Sequence, residues 1–329
     1  MRSRPGATMF VAAVVCIVAG IAVAVGALDE IVVQLKWVHQ AQFAGFYVAL
    51  ERGYYAEENI SVTLVEGGAG IDAMQQVISG VAEFGVAAPE KLIWASNFGS
   101  PVLAIATVFR LNPTVFISLQ SSGIKRPSDL AGRSAAVLGV DEFETQLRAM
   151  FNRLGLDIDQ AELVPHTYDL TGFYVGEVDS IAVYSTGGLI RSRQAGHELN
   201  LIWPDDYGVH LYSDTIITTD TLIDENPGLV TRFLRATLRG WRDAIEDPEA
   251  AVAITLNYAR ESDDELQLAM MYASLPLVHT GRDQIGWMRA EIWESMHEML
   301  LAQGILDQPA DLSSVYTMQF LHEIYGETP

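Results

Sequence analysis

The chain has a single cysteine, Cys16, in 329 residues. It lies within an N-terminal apolar run, so residues 28–329 can form neither a disulfide nor a thiolate metal site. The seven histidines, His39, His166, His197, His210, His279, His297 and His322, show no metal-ligand spacing, so no metal and no cofactor is expected. Ser185 lacks the strand-turn context of an activated nucleophile, and no catalytic residue is assigned. Positive charge is scarce as well: 20 Lys and Arg stand against 42 Asp and Glu, a formal net charge of -22. A surface of that sign repels phosphate backbones and anionic lipid alike, which excludes nucleic acid as a partner.

What is present begins with an apolar stretch from Met9 to Val25 that carries no charge. Arg2 and Arg4 precede it, and the small residues Gly26 and Ala27 come just before Leu28. This is the layout of an export signal over residues 1–27, with the mature chain in the periplasm or at the outer face of the cytoplasmic membrane. The run is also long enough to cross a bilayer, so an uncleaved anchor is the alternative. Half of the residues are hydrophobic, which is enough for two domains with cores of their own.

The most informative stretch is IVVQLKWVHQAQFAGFYVALERGYY, residues 31–55. Residues 31–35 are a short run rich in β-branched and apolar side chains, as in a buried strand. Phe43, Phe46, Tyr47, Leu50 and Tyr54 then recur at helical spacing, with Gly53 as the stop signal. Trp37 falls at the strand's carboxyl end, the edge where open α/β sheets bind ligands. It can serve as a ligand platform or simply cap the core.

Strand patterns follow at 62–65, 84–87 and 102–108, with helices at 71–79 and 91–98 between them. A second block reads as strands at 115–119, 134–138, 180–184 and 199–202, with helices at 142–154 and 188–195. Such alternation implies mainly parallel sheets. After a strand at 215–218 the chain is expected to be almost wholly helical from Pro227, punctuated by Asn226-Pro227, Asp247-Pro248, a capping box of Ser262 with Glu265, and Gly304. Two α/β lobes emerge, residues 28–113 plus 214–329 and residues 114–213, with the helical section packed on the first. The chain crosses between them near Asn112 and near Gly208, and lobe pairs of this kind close around ligands by hinge motion.

Candidate ligand groups are those just past a strand. In the first lobe they are Trp37, Gln40, Gln42, Phe43, Pro89 and Glu90; in the second, Asp141, Glu142, Tyr184, Ser185 and Thr186. Trp37 and Tyr184 offer aromatic faces, and the amides and carboxylates offer polar edges, a combination suited to a flat heterocycle. Glu90, Asp141 and Glu142 each also sit where a helix N-terminus favours a carboxylate, which needs no ligand.

The segment KWVHQAQFAGFYVA at 36–49, with Gly53-Tyr54-Tyr55, the run from Val62 to Gly68, Asp206-Tyr207-Gly208 and the run from Arg235 to Trp241, resembles the NMT1/THI5-like substrate-binding proteins. The resemblance implies a type II periplasmic-binding-protein clamshell, monomeric, serving an ABC permease and its ATPase subunit. It also implies a small heterocyclic ligand: a thiamine pyrimidine precursor or, in a sibling branch, riboflavin, with a sulfonate as another option. Pyrimidine synthases share the family and resemble this chain around His39, but they carry a cysteine-rich motif that is missing here. The pyrimidine binders follow the second-lobe tyrosine with an Asn-Glu pair, whereas Tyr184 is followed by Ser185-Thr186-Gly187-Gly188. That leaves room for a bulkier ring, and both ligands stay open.

Overall fold

The computed structural model describes residues 28–139 and 141–326, and for Asp141 the backbone only. The expected export signal over 1–27 lies outside the described residues.

Ten strands form two five-stranded sheets. The first contains β1 (Asp29–Gln34), β2 (Ile60–Val65), β3 (Phe84–Ala87), β4 (Val102–Thr107) and β10 (Thr215–Thr219), in the order β2-β1-β3-β10-β4. The second contains β5 (Thr114–Leu119), β6 (Ser134–Leu138), β7 (Glu162–Pro165), β8 (Ser180–Tyr184) and β9 (Leu199–Ile202), in the order β7-β6-β8-β5-β9. Each sheet is mixed in the same way. β10 pairs antiparallel with β3 and β4, and β5 pairs antiparallel with β8 and β9, while the remaining pairs are parallel. β5 and β10 are the first strands after the chain passes from one sheet to the other. They therefore start at the edge where the parallel strands end: Thr114 stands opposite Tyr184 and Thr215 opposite Ala87.

The helices of the first half are α1 (Ala44–Glu51), α2 (Tyr54–Glu57), α3 (Ala73–Ile78), α4 (Pro89–Ser96), α5 (Asp141–Leu154), α6 (Thr171–Tyr174) and α7 (Gly188–Gln194). Those that follow are α8 (Asp220–Glu225), α9 (Pro227–Glu246), α10 (Pro248–Thr255), α11 (Asp264–Val278), α12 (Ala290–Ala302) and α13 (Gln319–Tyr325). Helix therefore begins before the expected Pro227, since Thr219 caps α8 through Leu222 N–H. The cap of α11 is Asp263, which accepts from Leu266 N–H, rather than the expected Ser262. A carboxylate one residue closer to the helix offers the stronger acceptor to the free amides of the first turn.

The helical section packs on the first sheet through α9. Phe233 stacks on Phe84 at 3.9 Å between ring centroids, and Tyr55 stacks on its other flank at 5.8 Å. Where α9 meets α1 the backbones nearly touch: a Cβ on Gly240 would lie 2.2 Å from the Gly45 carbonyl oxygen, and a Cβ on Gly45 would strike the Trp241 ring. Two glycines thus let Trp241, fully buried, fill the crossing. Truncating such a residue costs roughly 3–5 kcal/mol. The expected helical stripe is divided, because Gly53 adopts a left-handed φ of 75° that ends α1 and restarts the chain as α2.

Candidate functional site

The parallel strands of both sheets end toward one cavity of about 620 Å³. Leu35 closes the core beneath β1, and the next residues, Lys36 and Trp37, project into the cavity. Tyr184 ends β8, and Glu142 stands in the first turn of α5, just past β6.

Lys36 is the hub. Its Nζ donates to Tyr184 Oη at 2.7 Å and lies 3.3 Å from Glu142 Oε2 and 3.3 Å from Asp214 Oδ1. Tyr184 Oη in turn donates to Glu142 Oε1 at 2.6 Å and contacts Ser213 Oγ at 2.9 Å. Gln42 Nε2 donates to Asp214 Oδ2 at 2.7 Å, and Gln40 Nε2 donates to Gln42 Oε1 at 2.7 Å. Residues from both sheets and from the returning crossing segment are joined in one network. Burial pulls the Lys36 ammonium down, but Glu142, Tyr184 and Asp214 outweigh it and hold the pKa well above the ordinary lysine value. Burial, then Glu142, pushes the Tyr184 phenol well up. Burial also raises the Asp214 carboxyl, against the pull of Lys36. Asp214 holds an unusual positive φ of 27°, a backbone strain of the kind found at functional sites.

Opposite Trp37 the loop after β7 and helix α5 supply an aromatic wall. The Trp37 and Tyr168 rings stand 4.8 Å apart, tilted by 38°. Tyr168 rests edge-on against His166 at 4.7 Å, and His166 lies 5.2 Å from Phe143. The His166 Nε2 sits 2.8 Å from the Ala182 carbonyl while Nδ1 accepts from Tyr168 N–H at 3.1 Å, so the ring is the neutral Nε2–H tautomer. Burial accordingly lowers its pKa. Two further cations line the cavity, each with a carboxylate: Lys91 with Asp72 at 3.7 Å and Arg191 with Glu261.

Of the expected residues, Trp37, Gln40, Gln42, Glu142 and Tyr184 stand on the cavity wall. Phe43 does not: it ends a short 3-10 turn, Ala41–Phe43, that turns its ring into the core, where it is 1% exposed. Pro89 is the buried first residue of α4, Thr186 is enclosed and Ser185 half-buried, and none of the three is on the cavity wall. Glu90 is buried and is not on the main cavity wall; it borders a crevice between α4 and α5. The Asp141 side chain lies outside the described residues. Lys36, Asp214, Ser213, His166 and Tyr168 were not anticipated. Lys36 directly precedes the expected Trp37, and that adjacency is the one signal that could have found it.

Two α/β sheets facing each other across a cavity, with two passages of chain between them, define the two-lobed fold of the periplasmic binding proteins. The fold is that of the sulfonate-binding protein SsuA of Methylobacillus flagellatus KT, matched with a TM-score of 0.68 at 15% identity over 92% of this chain and 95% of that one. The chain belongs to the NMT1/THI5-like family, whose model matches residues 40–251. It is 28% identical to the formylaminopyrimidine-binding protein of Halalkalibacterium halodurans, over 86% of this chain and 88% of the relative. It is 26% identical to the riboflavin-binding protein RibY of Chloroflexus aurantiacus, over 89% and 86%. A 4-amino-5-hydroxymethyl-2-methylpyrimidine phosphate synthase of Legionella pneumophila is also 26% identical, over 89% and 92%.

Proposed function

We propose that this chain is the extracytoplasmic substrate-binding protein of an ABC importer. It captures a flat nitrogen heterocycle between Trp37 and Tyr168 and hands it unchanged to a permease driven by an ATPase subunit. The observation that carries this reading is a cavity at the strand ends whose facing walls present aromatic rings from the loops that follow β1 and β7, one from each sheet's side. A flat ring seated between two others needs two contacts of about 3.5 Å, hence about 7 Å between centroids. The lobes, residues 28–113 plus 214–329 and residues 114–213, part by roughly 2 Å from the 4.8 Å spacing to admit it. Gln40, Gln42, Glu142 and Tyr184 line the polar end and recognise the ring's nitrogens and exocyclic groups. Export through residues 1–27 and a monomeric mature protein belong to the same reading.

The named relatives support both a pyrimidine precursor of thiamine and riboflavin as ligand. The size of the cavity, about 620 Å³, suits the larger ring system of riboflavin. A sulfonate is disfavoured because Lys36, Lys91 and Arg191 already hold carboxylates, and an anion would have to displace one of them. A synthase reading has less support. His39, the residue around which the synthases resemble this chain, contacts Tyr47 Oη at 3.0 Å and is not on the cavity wall. Incubating the purified protein with riboflavin or hydroxymethylpyrimidine should quench tryptophan fluorescence, and mass spectrometry should return the ligand intact. Accumulation of a new product would refute the transport reading.

A further inference from the structure

We infer that Glu90 is a positioning residue for closure of the cleft: it takes up a proton as α4 and α5 come together, and so ties closure to pH. Glu90 is 4% exposed, and neither of its carboxyl oxygens accepts a hydrogen bond. It borders a crevice of about 330 Å³ between α4 on the first lobe and α5 on the second, which Leu300 and Ile305 also line. An ionised carboxylate enclosed without a partner is costly, and the group escapes that cost by holding a proton.

The surrounding cations relieve it only in part. From its own helix comes Lys91, which pairs with Asp72. From the end of β1 comes Lys36, already shared between Glu142 and Asp214. From α5 come Glu142, which repels it, and Glu144, which pairs with Arg148 at 2.8 Å. Glu142 and Asp214 each lie 3.3 Å from the Lys36 ammonium, whereas the Glu90 carboxyl has no ion pair or hydrogen bond of its own at contact distance. Burial first, and the Glu142 charge second, push its pKa from 4.5 to about 8. Separating α4 from α5 admits water to the crevice and returns the group toward its ordinary value. The sign follows. A group whose pKa is higher in the closed form favours closure at low pH, and closure weakens as pH rises from 4.5 to about 8. Over that window one proton changes the closure constant roughly tenfold per pH unit.

This inference rests on the reading of the two halves as moving lobes, but its test needs no ligand, so its failure is distinct from a failure to bind a heterocycle. Small-angle X-ray scattering of the ligand-free protein from pH 4 to pH 9 should show the radius of gyration rising with pH. In Glu90→Gln, which keeps the shape and removes the charge, the radius should stay at its low-pH value throughout. A flat wild-type profile, or an equal rise in both proteins, would overturn the inference, the second result pointing to the Lys36 network instead. If Glu90→Gln fails to fold, carbon-13 titration of the Glu90 carboxyl in the wild-type protein decides. A midpoint near 8 supports the assignment, and one near 4.5 overturns it.

Discussion

Replacing Trp37 by alanine separates a ligand platform from a core plug. The indole is half-buried, rests against the first lobe's core and meets Tyr168 across the cavity. Its loss removes one aromatic pair, about 0.5–1.5 kcal/mol, together with part of the burial of a half-covered ring. The folding free energy should therefore fall by about 1–2 kcal/mol, well short of the roughly 3–5 kcal/mol for a fully enclosed tryptophan. Trp241→Ala provides that upper reference, because Trp241 is fully buried at the α1–α9 crossing. Ligand affinity should change in the opposite proportion. Trp37→Ala should weaken binding of a flat heterocycle by about tenfold or more, with Trp37→Phe in between, since one stacking face is worth about 1.4 kcal/mol. Urea unfolding and fluorescence titration on the same preparations read both quantities. A Trp37→Ala protein that is destabilised as much as Trp241→Ala and yet binds with unchanged affinity would refute the platform role.

Lys36→Met leaves Asp214, whose side chain is 2% exposed, and Glu142 without a counter-charge, and should cost about 3–5 kcal/mol at neutral pH by urea unfolding. The deficit should shrink on acidification, because a protonated Asp214 carboxyl, already pushed up by burial, needs no cation. The wild-type Lys36 pKa is raised above 10.5, so its stabilising contribution is complete below that pH and fades as pH climbs through and beyond it, which alkaline unfolding reads. Gly240→Ala places a methyl 2.2 Å from the Gly45 carbonyl oxygen and should lower stability by about 1–3 kcal/mol or more, with ligand affinity at saturating fold unaffected.

Much of the fold was legible because local patterning sets strands and helices. The runs at Ser134–Leu138, Ser180–Tyr184 and Leu199–Ile202 stand where their apolar residues predict. β7 was not legible, since Glu162–Pro165 is a short edge strand that begins on a charge, ends on a proline and is little buried. The loop that follows it, which carries His166 and Tyr168, went unread for the same reason. The reversal of β5 and β10 is also non-local: it follows from where the chain re-enters a sheet, which no window of residues reports. Strand-end position led to Trp37 and Tyr184, and helix-start position to Glu142, all three of which line the cavity. Glu90 shares that helix-start position but is buried beside the crevice between α4 and α5 rather than on the cavity wall. Asp214 sits in an unpatterned crossing segment, and only the three-dimensional return of that segment beside Lys36 reveals it.

The central claim is that the cavity holds a flat heterocycle, and a thermal-shift comparison of riboflavin, hydroxymethylpyrimidine and an alkanesulfonate tests it most directly. A ligand present at about 100 times its dissociation constant adds about 2.7 kcal/mol to the folded state, a shift of several degrees that a melting curve resolves. The account predicts a concentration-dependent rise in Tm with riboflavin or the pyrimidine, reduced in Trp37→Ala and in Tyr168→Ala, and none with the sulfonate. A rise with the sulfonate alone, or an equal rise in the wild-type protein and both variants, would contradict it.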